Sequence, residues 1–197
     1  LLRSNNDLII GSRFAKGSSI EGLSKKRKKG SSFANYFARF TLSRNYSHLS
    51  DFMSGCCAFK RNRCLKYLKK IDVSGFKFLY ELLSLSKGTL IVDEIPLNFQ
   101  SRKYGYSKLD FAVVWDFFIS AFHALTKRLI PRRAISFGFV GATGILVHLF
   151  VVYFLLAITQ LTFVQVLPFA GVSAASSNFL INNFLTFRNA RLHGFEL

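Results

Sequence analysis

The stretch AISFGFVGATGILVHLFVVYFLLAIT, residues 134–159, runs for 26 positions without Asp, Glu, Lys or Arg. At about 1.5 Å per residue a helix of that length exceeds the roughly 30 Å hydrocarbon core of a bilayer, so the stretch predicts a membrane span. Directly after it, LTFVQVLPFAGVSAASSNFLINNFLTF, residues 161–187, is a second uncharged run of sufficient length, more polar and carrying Pro168. Backbone groups in lipid must be satisfied internally, which favours a helix kinked or started late near Pro168. Ala174, Ser177 and Asn178 offer a small, polar face to a neighbouring helix. The two runs therefore predict a transmembrane hairpin over 134–188, with a tail over 189–197.

Charge sets the orientation expected of that hairpin. Lys127, Arg128, Arg132 and Arg133 precede the first run, Arg188 and Arg191 follow the second, and the connection around Gln160 carries no basic residue. Both ends are expected to face the cytoplasm. Upstream, 111–126 (FAVVWDFFISAFHALT) is apolar but interrupted by Asp116 and ends in KRLIPRR. Residues 111–133 thus predict an interfacial amphipathic helix and basic linker, with Trp115 in the headgroup zone and the cations against lipid phosphates.

The rest of the 197-residue chain has the opposite character. Half of the residues are hydrophobic and only 19% are charged, yet the net charge is +17. The two properties are segregated, because 25 of the 27 Lys and Arg lie in residues 1–133. A basic head precedes an apolar tail. Three cysteines, Cys56, Cys57 and Cys64, suggest no disulfide framework and no zinc pattern, and are expected to be small buried residues. The chain opens on Leu1 and meets DLIIGSR within a few residues, as a piece of something longer would.

Within the head, Leu8-Ile9-Ile10 before Gly11-Ser12 predicts a buried strand delivering Arg13 to a loop. The loop runs through KGSSIEGLS and KKRKKGSS, and a helix is expected from Ser31 or Ser32, since Phe33, Tyr36, Phe37 and Phe40 recur at helical spacing. GFKFLYELLSLSKG, 75–88, predicts an amphipathic helix stopped by Gly88. EIPLNF, 94–99, predicts a strand that Pro96 confines to an edge. Strand and helix alternating in this way imply an α/β layer over residues 1–110.

Three basic clusters of the head sit in Gly/Ser loops: GSRF with Arg13, KKRKKGSS with Arg27 and Ser31, and SRKYGYSK with Arg102 and Lys108. Backbone N–H groups and guanidinium forks there can converge on phosphate oxygens, as a diphosphate or lipid-phosphate site requires. The plainer alternative is a solvated basic face attracted to anionic lipid. No recognised nucleic-acid motif accompanies the basic residues, and no nucleic acid is expected as a partner.

The ordered succession DLIIGSRF, RKKGSSFANYFAR, DFMSGCCAFKR, GFKFLYELL and EIPLNFQSRKYGYSKL resembles the C-terminal half of dolichol-phosphate mannosyltransferase-like enzymes. These are family 2 glycosyltransferases of GT-A, Rossmann-like fold. After it, FVGATGILVHLFVVYFLL and SNFLINNFLTFR resemble the first two helices of a GtrA-type membrane domain. The resemblance implies an α/β fold, a partial GT-A domain, followed by an α-helical transmembrane hairpin. It also implies transfer, with inversion, of a hexose such as mannose or glucose from a nucleotide sugar of the GDP-mannose or UDP-glucose type to polyprenyl or dolichyl phosphate. The location implied is a bacterial inner membrane or endoplasmic reticulum, with membrane lipids around the hairpin and a possible homo-oligomer through its helices.

By that resemblance Arg13, Arg27 and Ser31 hold the acceptor phosphate, and Arg102 with Lys108 lies near the donor diphosphate. Asp51 of DFMSG is the candidate catalytic carboxylate, as general base or acceptor-orienting group, against a plain Asx-turn cap before Ser54-Gly55. The family binds nucleotide and a divalent metal, Mg or Mn, through an Asp-x-Asp motif of the N-terminal half. No Asp-x-Asp occurs here, so the metal ligands are expected to be missing from this chain, which alone should be inactive. A non-catalytic GtrA-like membrane component that binds or translocates lipid-linked sugar is the competing expectation.

Overall fold

The computed structural model describes residues 5–19, 25–71, 78–99 and 111–187. The chain divides into two compact units, one of Leu1–Asp110 with Ser120–Leu125, the other of Phe111–Ile119 with Thr126–Leu197.

The first unit is an α/β layer on a mixed sheet. Strand β1 (Leu8–Ser12) is central in a three-stranded sheet, antiparallel to β2 (Cys57–Phe59) and parallel to β3 (Val92–Pro96). The apolar run Leu8-Ile9-Ile10 suits the central position, where both faces of a strand are covered, and Leu8 and Ile10 are fully buried. Pro96 pairs with Ser12 at the end of β3, an edge strand among the described residues, as its missing N–H demands.

Helix α1 (Lys25–Thr41) leads to a short 3₁₀ turn at Arg44–Tyr46, and α2 (Arg61–Leu68) and α3 (Phe78–Ser86) follow. Tyr46, Leu49, Phe52, Cys64, Leu79, Leu82 and Leu83 are buried in the core together with Leu8 and Ile10 of β1.

Three expectations are corrected here. Helix α1 begins at Lys25, not at Ser31 or Ser32. The Gly-Ser-Ser triplet imitates an N-cap, but lysine and arginine are good helix formers, and the turn continues through them. The α3 segment is buried nearly all round, including Glu81, instead of amphipathic. Cys56 is exposed and Cys57 only half-buried, since they lie immediately before and at the start of the short strand β2, none of whose residues is fully buried, whereas Cys64 is buried as expected. Helix α3 does end where Gly88 predicts: Lys87 and Gly88 adopt left-handed φ of 49° and 85°. A Cβ on Gly88 would stand 2.5 Å from Ser43 Oγ.

The second unit is a helical hairpin with part of α4 (Phe111–Leu125). Helix α5 (Arg132–Ile158) and α6 (Phe163–Leu185) are long and apolar enough to cross a bilayer and pack against one another. Their outer surfaces are apolar, with Ile145, Leu149, Phe150, Tyr153 and Phe169 all exposed, as for a pair whose solvent is lipid. Helix α6 starts ahead of Pro168, where Gln165 Oε1 accepts from the N–H and hydroxyl of Thr162 at 2.8 and 3.0 Å. Pro168 therefore lies inside the helix, and only the Val164 carbonyl loses its donor.

At the other end of the hairpin the Trp115 indole donates to Ser136 Oγ at 3.0 Å. Thr186 donates to Asn182 Oδ1, so in the 2.7 Å Ser136–Thr186 contact the serine is the donor. Halfway along, Gly144 of α5 faces Asn178 of α6 so closely that a Cβ there would overlap the amide. Asn178 is one of the residues expected on the face that the second run offers to a neighbouring helix.

Candidate functional site

The site forms where the carboxyl end of β1 meets the loop 47–56, and each residue of the Gly11-Ser12-Arg13 motif has a separate task. Gly11 lets the neighbouring chain approach: its N–H donates to the Cys56 carbonyl at 2.8 Å, and Ser54 Oγ donates to the Gly11 carbonyl at 2.5 Å. An added Cβ would press on Cys56 Sγ at 3.2 Å. Ser12 shapes the turn, its Oγ accepting from the N–H groups of Phe14 and Ala15 at 3.2 and 3.0 Å. Arg13 then leaves the turn toward Asp51.

The guanidinium and carboxylate meet in a two-point fork. Arg13 Nε donates to Asp51 Oδ2 at 2.7 Å and Nη2 to Oδ1 at 2.8 Å. The Arg13 backbone N–H adds a third bond to Oδ2 at 3.1 Å, and the Met53 N–H a fourth to Oδ1 at 3.2 Å. Asp51 is fully buried, while the Arg13 side chain keeps 15% of its surface open. A carboxylate offers about four lone-pair sites, and here four donors use them; the guanidinium has five N–H donors, of which the fork takes two. The Met53 bond is also the Asx turn anticipated at this position. Arg13 Cζ lies 5.6 Å from the centre of the Phe14 ring.

A second chain of bonds runs beside the first, through residues that sequence reasoning missed. Glu94 of β3 accepts from the Ser50 N–H at 2.8 Å and from its hydroxyl at 2.6 Å. Ser50 Oγ lies 2.8 Å from Ser12 Oγ, and since the Ser50 proton goes to Glu94, Ser12 is the donor in that pair. The relay Ser12 to Ser50 to Glu94 therefore ties β1, the 47–51 loop and β3 together with every proton placed. The only signal for it was the Asp93-Glu94 pair opening an edge strand, and nothing in the sequence connects that pair to Ser50.

Asn35 of α1 is the other residue missed. It is buried, and its Oδ1 accepts from the Phe52 N–H at 2.9 Å, holding the residue next to Asp51. Its Nδ2 has no hydrogen-bond partner among the described residues. Asparagine in the middle of a helix, where it is unfavourable, was the available hint. Ser31, half-buried, lies one turn before Asn35 on the same side of α1, and position 27 one turn before that. The side chain of Arg27 lies outside the described part, as do residues Arg102 and Lys108.

No group of three or more His, Cys, Asp or Glu able to hold a metal occurs among the described residues. The Asp93–Glu94 pair does not fit one, because both Glu94 oxygens hold Ser50 and Asp93 Oδ1 accepts from the Glu94 N–H.

Residues 136–196 match the family described as GtrA/DPMS, transmembrane domain. Over 192 residues, 96% of its length, the chain is 27% identical to the dolichol-phosphate mannosyltransferase of Pyrococcus furiosus, covering 53% of that protein. Over 106 residues, 52% of its length, it is 31% identical to the polyprenol monophosphomannose synthase of Mycolicibacterium smegmatis, covering 38% of it. The chain thus spans about half the length, or less, of the curated relatives it matches. Nearly the whole chain is thus homologous to dolichol-phosphate mannosyltransferases, its α/β part being followed by a region that matches the GtrA/DPMS transmembrane domain.

Proposed function

We propose that this chain is the acceptor-phosphate side of a membrane glycosyltransferase that moves a hexose, mannose or glucose, from a nucleotide sugar to a polyprenyl or dolichyl phosphate. A phosphate oxygen of the acceptor attacks the anomeric carbon, the bond to the nucleotide diphosphate breaks on the opposite face, and the configuration inverts. Both reactants are anionic. Positioned N–H donors and cations must therefore offset their repulsion and stabilise the charge developing on the leaving group.

In this reading Arg13 aims its remaining donors at the acceptor phosphate, joined by Arg27 and Ser31, and Arg102 with Lys108 lies toward the donor diphosphate. Asp51 holds the Arg13 guanidinium and does not remove a proton. The acceptor phosphate, with a second pKa near 6, is largely ionised at neutral pH and needs no base. A divalent metal, Mg or Mn, belongs to the full-length protein through residues other than those described, and no step above runs through it. The hairpin α5–α6 anchors the chain in a bacterial inner membrane or the endoplasmic reticulum, the α/β part cytoplasmic, α4 near the interface, with self-association open to the lipid-facing helices.

The observation that carries this reading is the Arg13–Asp51 fork: a guanidinium locked in orientation by a buried carboxylate, on a loop beside the Ser31–Asn35 side of α1. The test supplies full-length protein in detergent with radiolabelled nucleotide sugars and polyprenyl phosphate. Labelled lipid should form, and Arg13→Ala and Arg27→Ala should each raise the KM for the lipid phosphate at least tenfold. Labelled lipid forming equally well with both substitutions would reject the assignment.

A further inference from the structure

Helix α1 holds the loop that carries Asp51 at two points, neither of them among the phosphate contacts assigned above. Asn35 Oδ1 accepts from the Phe52 N–H at 2.9 Å, and Arg39 Nη2 donates to the Leu49 carbonyl at 2.9 Å. Asn35 and Arg39 are one turn apart on α1, and the groups they hold bracket Ser50 and Asp51 on the loop. Those two residues are the ones that bind β1, Ser50 through Ser12 and Asp51 through the Arg13 fork. The Phe52 N–H belongs to the peptide bond formed by the Asp51 carbonyl, so Asn35 grips the backbone of Asp51 itself.

Stability alone does not account for Asn35. Asparagine is unfavourable inside a helix. The Phe52 N–H is a donor and therefore fixes which end of the amide is oxygen, which leaves Nδ2 buried with no hydrogen-bond partner among the described residues. A buried donor without a partner offsets the bond that the oxygen makes. What the residue supplies is position.

We propose that Asn35 and Arg39 are positioning residues for the transfer reaction, a clasp that fixes Asp51 and, through its fork, the direction of the Arg13 guanidinium relative to Ser31. Ser31 lies one turn before Asn35 on the same side of α1, so one helix carries both the clasp and a residue proposed to meet the phosphate. A phosphate held from β1 and from α1 at once tolerates little change in the spacing between them. The effect on transfer rests on the proposed function, whereas the hold on Arg13 does not.

The test uses Asn35→Leu in the full-length protein, a change that keeps the size and alters no charge. It exchanges one buried donor without a partner, Nδ2, for another, the Phe52 N–H, so the melting temperature in detergent should stay within about 2 °C of the parent. With isotope-labelled arginine, the Arg13 Nε–H is identified by its disappearance in Arg13→Lys. In Asn35→Leu it should exchange with solvent about tenfold faster than in the parent. In the labelled-lipid assay the KM for polyprenyl phosphate should rise about three- to tenfold, with kcat within about twofold. Added to Arg13→Lys, where no fork remains, Asn35→Leu should change KM little further. Arg39→Ala, at an exposed position, releases the other grip and should speed the same exchange, which keeps the clasp testable if Asn35→Leu does not fold. An Arg13 Nε–H as protected in folded Asn35→Leu as in the parent would overturn the proposal, and so would the same result with Arg39→Ala. A KM that rises only in step with a falling melting temperature, or Asn35→Leu and Arg13→Lys effects that simply add, would overturn it too. A parent that forms no labelled lipid rejects the transferase reading instead, and the exchange rates still decide the clasp.

Discussion

Arg13 and Asp51, 38 positions apart, share two side-chain hydrogen bonds of 2.7 and 2.8 Å, and their neighbours Ser12 and Ser50, also 38 apart, share one of 2.8 Å. Two consecutive residues on each strand of chain thus grip two on the other. The charge pair is buried on the acid's side and partly open on the base's, which is the arrangement expected if the acid is there to hold the base.

From this follows the first prediction. Asp51→Asn replaces one acceptor by an NH₂ group that confronts Arg13 donors, and Asp51→Ala leaves the guanidinium without its counter-ion. Breaking a buried pair from one side costs about 3–5 kcal/mol, and the partial exposure of Arg13 places this pair near the lower end. Both variants should melt earlier in detergent and raise the KM for lipid phosphate more than they lower kcat. Arg13→Lys, which keeps the charge but not the fork, should share the KM defect. A kcat loss with an unchanged KM would instead assign Asp51 to proton transfer.

The relay through Ser50 makes a second, separable prediction. Glu94→Gln retains an acceptor for Ser50 but gives up the charge on both bonds, and Ser50→Ala removes the hydroxyl that receives the Ser12 proton. Each should destabilise by about 1–2 kcal/mol, since hydrogen bonds to a charged group are worth somewhat more than neutral ones. The double variant should cost less than the sum, with a coupling on the order of 1 kcal/mol, because the two residues act through one network. Strict additivity in thermal melts would show that the relay is not a unit.

How much of this was legible beforehand depends on whether the signal was local. The α5–α6 hairpin could be read because a bilayer imposes length and apolarity on every residue of a span, and both runs carry that imprint. Leu8 to Arg13 could be read as strand and loop because Gly11-Ser12 ends an apolar run. Arg13 and Asp51 were each singled out, but not their fork, since pairing across 38 positions is a property of the sheet register. Glu94 and Asn35 escaped for the same reason: what they hold, Ser50 and Phe52, is adjacent in space and remote in sequence. The start of α1 was misplaced because Gly30-Ser31-Ser32 has the chemistry of a cap, whereas the lysines and arginine ahead of it are good helix formers and the helix runs on through the triplet.

Asp7 supplies a pH-dependent prediction. Burial works against its charge, yet the Ile91 N–H at 3.0 Å and Arg63 Nε at 2.9 Å, with Lys60 nearby, hold its carboxyl below the ordinary carboxylate value. A lowered folded-state pKa means that the stabilisation is complete above the unfolded value of about 3.9 and is lost as pH falls through the folded value. Arg63 is largely exposed, so solvent screens that bond and the Ile91 contact carries most of the effect. Asp7→Asn should lower the melting temperature at pH 6, by an amount equivalent to about 1 kcal/mol, and the difference should shrink progressively as the pH falls below the unfolded value of about 3.9. A difference that is constant with pH would mean the carboxylate charge contributes nothing.

The hairpin offers a test in which chemically identical substitutions should have opposite results. Gly138, Gly141 and Gly144 lie on successive turns of α5, but a Cβ at the first two meets nothing within 4 Å, whereas at Gly144 it would overlap the Asn178 amide. In a helix interior alanine is favoured over glycine by roughly 0.5–1 kcal/mol, so Gly138→Ala and Gly141→Ala should be neutral or mildly stabilising. At Gly144 the same methyl forces α6 away, at a cost of about 1–3 kcal/mol typical of overpacking. Gly144→Ala should therefore lower the temperature at which the detergent-solubilised protein loses its monodisperse peak, and Asn178→Ala should restore part of the loss by vacating the space. If all three alanines behave alike, the close approach of α5 and α6 at Gly144 is not what holds the hairpin together.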